Sequence, residues 1–470
     1  MTKTSVSRSA GSACDVPAAI FRAYDIRGIA GTQLNAASMA LISRALGSEA
    51  LDQGITTLLV GYDGRLSSPE LSRSLIEGLL STGLNVVCLG QIPTPLLYFA
   101  AHTSEWTSGV MLTASHNPAH YNGLKIVFNR TSLPAKQIQT LFERIQTSRF
   151  HTGAGHYAEH SIAAAYLQNV RSRITLARPL KLVIDCANAV AGNVAPELFT
   201  ALGCEVVPLF CDLDGRFPNH SPDPTVPANL ASLSETVLAC GADLGLVFDG
   251  DADRIGLVTN TGEVIAADRL LMLLVHHIAP AYPGESIVFD VKCSRQLATL
   301  IADAGCVPVM HRSGHSLMKQ MMLQTGAPLG GEFAAHFFFK DRWFGFDDGL
   351  YAGARLIEIL SEYHEPSSEV FARFVTLVST PEIAVSVAEE HKFALMEKIV
   401  AAAEFPDASL ITIDGLRVEF DDGWGLVRAS NTSPALLLRF EAKTAESLMA
   451  IQDRFKALIR SADTSIRLDF

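Results

Sequence analysis

The chain has 470 residues, of which 48% are hydrophobic and 18% charged; that is material for three or four soluble domains. Its net charge of −12 excludes a nucleic-acid binder and means that any anionic ligand must be drawn by local cations. No apolar run approaches the roughly 18 residues of a membrane span, and residues 1–15 read as a loose Ser/Thr/Ala-rich tail, not a signal peptide.

The segment Phe21–Gly28 (F-R-A-Y-D-I-R-G) is the first dense polar and aromatic cluster. On its own it reads as readily as a surface Asp25–Arg27 pair as a functional loop. A repeat follows. Leu58–Asp63, Leu182–Asp185 and Ile287–Asp290 are apolar strands ending in an acid. Each precedes a helix-like stretch and a glycine that opens a second strand: Gly83–Val87, Gly203–Val207 and Gly305–Val309. A third element closes each repeat, at Val110–Ser115, Leu244–Asp249 and Pro328–Glu332. Strand, helix, strand, helix, strand three times over predicts an α/β chain of three similar α/β domains with largely parallel, mixed sheets. Leu416–Phe420 and Trp424–Arg428 flank the turn Asp421-Asp422-Gly423, and a strand at Leu436–Phe440 leads into an amphipathic helix from about Ala445 to Ile459. That pattern predicts a fourth, α+β domain. The boundaries are expected at 1–160, 161–263, 264–374 and 375–470.

Ligands of such sheets gather at the carboxyl ends of strands, so the third elements matter most. The first delivers Ser115 within V-M-L-T-A-S-H-N-P. A strand that ends in a hydroxyl before Pro118 can expose a nucleophile, although Ser, Asn and Pro equally suit a helix cap. The flanking glycines of an esterase elbow are missing. The second delivers Asp249, Asp251 and Asp253, spaced by two. Three carboxylates this close repel unless a cation holds them, and oxygen-only ligands select a hard metal such as Mg²⁺. Arg254 and Asn260 stand where a calcium-binding EF-hand needs Gly and Glu. The third delivers Gly330–His336, with Glu332 and His336. Lys292 and Arg312-Ser313-Gly314-His315 lie near strand ends, and the Arg428–Pro434 loop is dense in anion donors. Taken together, a serine nucleophile, a hard-metal site, a carboxylate–histidine loop and a phosphate clamp fit phosphoryl transfer on a phosphosugar. Five of the eight cysteines (Cys88, Cys186, Cys204, Cys240 and Cys306) sit among apolar neighbours without metal-binding spacing, as expected of reduced thiols in a cytoplasmic protein.

These residues resemble a known family. T-A-S-H-N-P, D-G-D-A-D-R, G-E-F-A-A-H and R-A-S-N-T-S-P stand in the order of the four signature loops of the α-D-phosphohexomutases. F-R-A-Y-D-I-R-G, Y-N-G-L-K-I, D-V-K-C-S-R and F-F-K-D-R-W-F-G-F-D-D-G resemble the bacterial phosphomannomutase/phosphoglucomutase group. The resemblance implies a four-domain monomer around a central cleft, acting on hexose phosphates through a hexose 1,6-bisphosphate. It implies that Ser115 is the phosphoserine and that Asp249, Asp251 and Asp253 bind Mg²⁺ with one of its oxygens. Glu332 and His336 would contact sugar, while Arg428, Ser430, Asn431 and Thr432 would hold the non-reacting phosphate. Tyr24, Arg27, Lys125, Arg254, Lys292 and His315 would line the same cleft, with Arg27, Lys125 and the histidines as acid/base groups. Ala334-Ala335 departs from the family's usual Ser before that histidine and leaves the finer sugar preference open. Phosphoglucosamine mutases share the serine and metal loops, and a catalytically silent sugar-phosphate binder would need no nucleophile at all.

Overall fold

The computed structural model describes residues 16–430 and 433–470. The expected tail at 1–15, and Asn431 and Thr432, lie outside the described residues. Four sheets carry the described residues. In the first, Thr57–Tyr62 lies between Asn85–Gln91 and Gly109–Leu112 and runs parallel to both. In the second, Lys181–Asp185 is parallel to Glu205–Leu209 and Leu244–Phe248. In the third, Ser286–Asp290 is parallel to Val307–His311 and Leu329–Gly331. The threefold strand pattern is thus one topology used three times. The apolar runs follow from it, because the third strand of each unit is buried along its whole length.

Each third strand is followed by an antiparallel return: Tyr121–Phe128, Ile255–Thr259 and Phe337–Phe339. The chain therefore leaves the sheet at a carboxyl end, makes one polar loop and re-enters beside itself. This is why each repeat offers a single short loop, anchored on both sides by ladder hydrogen bonds. The fourth sheet is antiparallel throughout. Phe420 pairs with Gly423 across the two-residue turn Asp421-Asp422, so the strand Gly423–Ala429 returns to place Arg428 at the opposite end of the sheet. The final helix spans Ala445–Ala462 and is capped by Thr444, whose hydroxyl accepts from the Ser447 amide.

The first three sheets share one continuous apolar core, whereas the fourth keeps its own around Phe420, Phe440 and Phe455. The helix Gly349–Ser361 is buried on every face. It starts against the aspartate loop, where the Gly349 amide donates to Ala252 O at 3.1 Å. A Cβ at Gly349 would meet Arg254 O at 2.6 Å, so a larger residue there would push third-domain helix and second-domain loop apart. Arg417, fully buried on the fourth sheet, donates to Val291 O and Cys293 O at 2.6 and 2.8 Å. That contact joins the fourth domain to the turn that carries Lys292.

Candidate active site

Ser115 sits just beyond its strand in a left-handed conformation, φ 49°, which an L-residue adopts at a cost of about 1 kcal/mol. Its amide donates to Thr113 Oγ1 at 2.9 Å. Its hydroxyl donates to Asp249 Oδ2 at 2.7 Å, across two domains. Gly250 makes the meeting of the two loops possible, since a Cβ there would lie 2.2 Å from Ser115 O. Asp249, Asp251 and Asp253 are fully buried and each offers an oxygen within 4.8 Å of the others. Lys125, on the first-domain return strand, donates to Asp251 Oδ2 at 2.6 Å and to Asp253 Oδ2. Thr94 Oγ1 donates to the same Asp251 oxygen at 2.5 Å.

Burial and the neighbouring Asp251 and Asp253 charges push the Asp249 carboxyl well above the usual range. Burial acts on Asp251 too, but Lys125 and Thr94 outweigh it and hold that carboxyl low. The Lys125 ammonium, disfavoured by burial, is pushed well up by Asp251 and Asp253. Asp251 Oδ1 and Asp253 Oδ1 are buried without a hydrogen-bond partner among the described residues. Orphaned oxygens beside a third carboxylate and a serine hydroxyl suit a hard divalent cation.

A second group adjoins the first. Arg254 Nε donates to His336 Nε2 at 2.9 Å, so in the neutral ring the His336 proton sits on Nδ1. That atom faces Asp347 Oδ2 at 3.2 Å and Asp253 Oδ1 at 3.7 Å. His315 Nδ1 lies 3.2 Å from the same Asp347 oxygen, and its ring stacks on His336 with centroids 5.5 Å apart. Burial pushes His315 down to about 4 despite Asp347, so it is neutral near pH 7. The Tyr24 ring meets His315 edge-on, and its hydroxyl donates to Ser313 O at 3.3 Å. Glu332 accepts from the Gly314 amide at 2.5 Å, and burial raises its carboxyl. Arg27 donates to Asp25 and Asn117 Oδ1, both at 2.5 Å, and so reaches the serine turn.

Arg428 Nε donates to Asp414 Oδ2 at 2.8 Å, and the Ser313 amide donates to the same oxygen at 3.1 Å. Ser430 Oγ accepts from the Ser433 amide at 3.1 Å. Lys292 pairs with Glu382 of the fourth domain at 3.2 Å. The chain matches the phosphoglucomutase/phosphomannomutase models for α/β/α domain I at residues 18–152, domain II at 157–262, domain III at 266–378 and the C-terminal domain at 382–458. It is 50% identical over 462 residues to a phosphomannomutase/phosphoglucomutase of Pseudomonas aeruginosa, covering 98% of this chain and 100% of that one. The chain belongs to the phosphoglucomutase/phosphomannomutase family.

A phosphoglucomutase of Neisseria gonorrhoeae is 46% identical over 446 residues, covering 94% of this chain and 97% of the relative. A crystal structure of a phosphoglucomutase/phosphomannomutase family protein from Burkholderia thailandensis superposes with a TM-score of 0.93 at 46% identity, covering 97% of this chain and 100% of that one. Within this mutase fold Ser115, Lys125, Asp249, Asp251 and Asp253 form one cluster, joined to Arg254, His336, His315 and Tyr24 through Asp253 and Asp347. Among the described residues no hydrogen bond or ion pair joins Arg428 to Ser115 or to the three aspartates.

Four residues of the site were not legible in the sequence. Thr94 starts the helix Thr94–Thr103 and looks like an ordinary cap. Asp347 lies in a quoted motif without a chemical signature of its own, and Asp414 precedes a turn glycine. Arg65 touches nothing reactive with its side chain, yet it holds the serine turn from behind.

Proposed function

We propose that this enzyme interconverts hexose 1-phosphates and hexose 6-phosphates, with glucose and mannose as the sugars and Ser115 as the phosphoryl carrier. The observation that carries the reading is the Ser115 hydroxyl, 2.7 Å from Asp249, where the first domain's loop meets the second's. Asp249, Asp251, Asp253 and the serine oxygen would hold Mg²⁺. The ion would neutralise charge on the phosphoserine, which carries about −1.5 to −2. The phosphoserine passes its phosphoryl group to a sugar hydroxyl: the P–Oγ bond breaks, a new P–O bond forms, and the hydroxyl proton leaves to a nearby base. The resulting hexose 1,6-bisphosphate turns over and returns its other phosphate to Ser115.

The chain's own groups divide this work. Lys125, held as an ammonium by Asp251 and Asp253, supplies fixed positive charge beside the aspartates and exchanges a proton only if the arriving phosphate loosens that pairing. His336, with its ring set by Arg254 and Asp347, and Arg27, anchored to Asp25, are the remaining acid/base groups. Glu332, its carboxylate aimed by the Gly314 amide, takes sugar hydroxyls, with Tyr24, His315, Lys292 and Arg254 as further cleft contacts. Arg428 and Ser430, with Asn431 and Thr432 beyond the described residues, would grip the phosphate that is not reacting. Asp414 takes only the Nε–H of Arg428, which leaves the two terminal nitrogens for a bidentate contact. Because all four loops come from one chain, we take the enzyme to act as a monomer. The free cysteines suit the cytoplasm, and no described helix is long and apolar enough to cross a membrane. We take the domain divisions to lie at about residues 160, 263 and 374, although the short strand Val264–Ile265 still pairs in the second sheet.

A coupled mutase assay on glucose 1-phosphate and mannose 1-phosphate, with intact-mass measurement of the phosphoryl group, tests the reading. Turnover of both by wild type, and loss of both turnover and phosphate in Ser115→Ala, is the expected result. A fully active Ser115→Ala enzyme, or phosphate mapped to another residue, overturns it.

A further inference from the structure

Arg65 is fully buried against the serine turn. Its guanidinium has five N–H donors, and five acceptors surround it. One terminal nitrogen donates to Ser115 O at 2.6 Å and Asn117 O at 2.8 Å. The other donates to Pro118 O at 2.7 Å and Tyr121 O at 3.1 Å. Nε donates to Asp63 Oδ2 at 3.0 Å. Asp63 is itself fixed, because its other oxygen accepts from the Arg65 amide and from Ser68 Oγ at 3.1 and 2.7 Å. Four carbonyls of one turn are thus gathered around a single planar cation. The turn's own hydrogen bonding is sparse by comparison, with Asn117 N to Ala114 O and Tyr121 N to Pro118 O, both 3.0 Å.

We propose that Arg65 is a positioning residue: by gathering these carbonyls it holds Ser115 in its left-handed conformation and so aims Oγ at the phosphorus to be transferred. A strained backbone angle persists only where its surroundings over-determine it, and Ser115 O is pinned by Arg65 on one side and closely packed by Gly250 on the other. Lysine cannot replace this contact, since its three donors radiate from one point and do not span four carbonyls in a plane. The second domain closes the site. Phe217 lies over the guanidinium at 5.2 Å. Gly64 and Gly215 let the two domains approach closely, since a Cβ at Gly64 would meet the Leu213 side chain at 2.2 Å and one at Gly215 would meet Gly64 O at 2.4 Å. The brace therefore joins the nucleophile's turn to the domain that carries the aspartates.

This inference rests on Ser115 being the phosphoryl carrier, and the test separates the two. Single-turnover loading of the dephosphorylated enzyme by glucose 1,6-bisphosphate is followed by intact mass, beside steady-state kinetics and thermal unfolding. For Arg65→Lys we expect loading and kcat to fall together by about 10²-fold, as a misplaced nucleophile implies, with KM unchanged. Millimolar guanidinium should restore part of the loading in Arg65→Ala. Wild-type loading rates in Arg65→Lys, or a deficit that guanidinium leaves untouched in folded Arg65→Ala, overturn the proposal. Should both variants fail to fold, Phe217→Leu removes only the ring over the guanidinium. Several-fold slower loading at constant KM then supports the brace, and unchanged loading overturns it. Failure of the wild type itself to take up phosphate on Ser115 would instead sink the proposed function.

Discussion

Replacing Arg428 with alanine isolates the phosphate clamp. The side chain is 5% exposed, and its only described ion pair is to Asp414 through Nε at 2.8 Å. Among the described residues the two terminal nitrogens have no hydrogen bond or ion pair and can meet a phosphate in parallel, and hydrogen bonds to a charged group contribute about 1.5–3 kcal/mol. At 1.4 kcal/mol per factor of ten, Arg428→Ala should lower kcat/KM by about tenfold to a hundredfold. The loss should be equal for glucose 1-phosphate and mannose 1-phosphate, because the clamp holds whichever phosphate is not reacting and never meets C2. KM should rise and kcat should also fall, since binding energy at the remote phosphate positions the reacting end. Stability should change little. Asp414 keeps the Ser313 amide at 3.1 Å, and its side chain is 17% exposed, so it re-solvates at a cost below about 1 kcal/mol. Steady-state kinetics on both sugars, run beside thermal unfolding, separates the two effects. Arg428→Lys should fall between wild type and alanine, keeping charge but losing the fork. An effect below twofold on both sugars would place the phosphate elsewhere and refute the reasoning.

Asp251→Asn should keep the Thr94 contact and the fold while losing most turnover and Mg²⁺ dependence; unchanged metal dependence in the mutase assay would contradict the assignment. Glucose 1-phosphate and mannose 1-phosphate differ only at C2, so a site gripping O3 and O4 through Glu332 should give kcat/KM values within about tenfold. Galactose 1-phosphate should be clearly poorer, and a preference of several hundredfold between the first two would mean that something reads C2. Asp348, which caps the helix Gly349–Ser361, is pushed up by burial to about 7 from an ordinary 3.8. The native state then keeps a proton that the unfolded chain releases, so this group lowers stability as pH rises from about 4 to about 7, by on the order of 4 kcal/mol. Denaturant titrations across that window should show a flatter profile in Asp348→Asn, and an unchanged slope would locate the linkage in another group.

Much of this protein was readable along the chain because its chemistry is carried by short, contiguous loops. A buried strand must be apolar, and a strand that ends at a ligand must turn polar at once. That contrast drew attention to Ser115 after Val110–Leu112, Asp249–Asp253 after Leu244–Phe248 and Glu332 after Leu329–Gly331, and the resemblance of the four loops to one family then gave Ser115 and Glu332 their expected roles. The hairpin at Asp421-Asp422 and the last helix were equally local, since turn chemistry and a 3.6-residue period need no tertiary partner. What folding alone decided is how the loops meet. Thr94 reaches Asp251 across 157 positions and Lys125 across 126, Arg65 reaches Ser115 across 50, and Asp347 lies between two histidines on different elements. Thr94, Arg65 and Asp347 do not advertise their roles, because a capping threonine, a buried arginine and a turn aspartate are commonplace in sequence. Their function comes from the direction of a hydrogen bond in a buried, low-dielectric space. Only the packing of one domain against the next sets that direction.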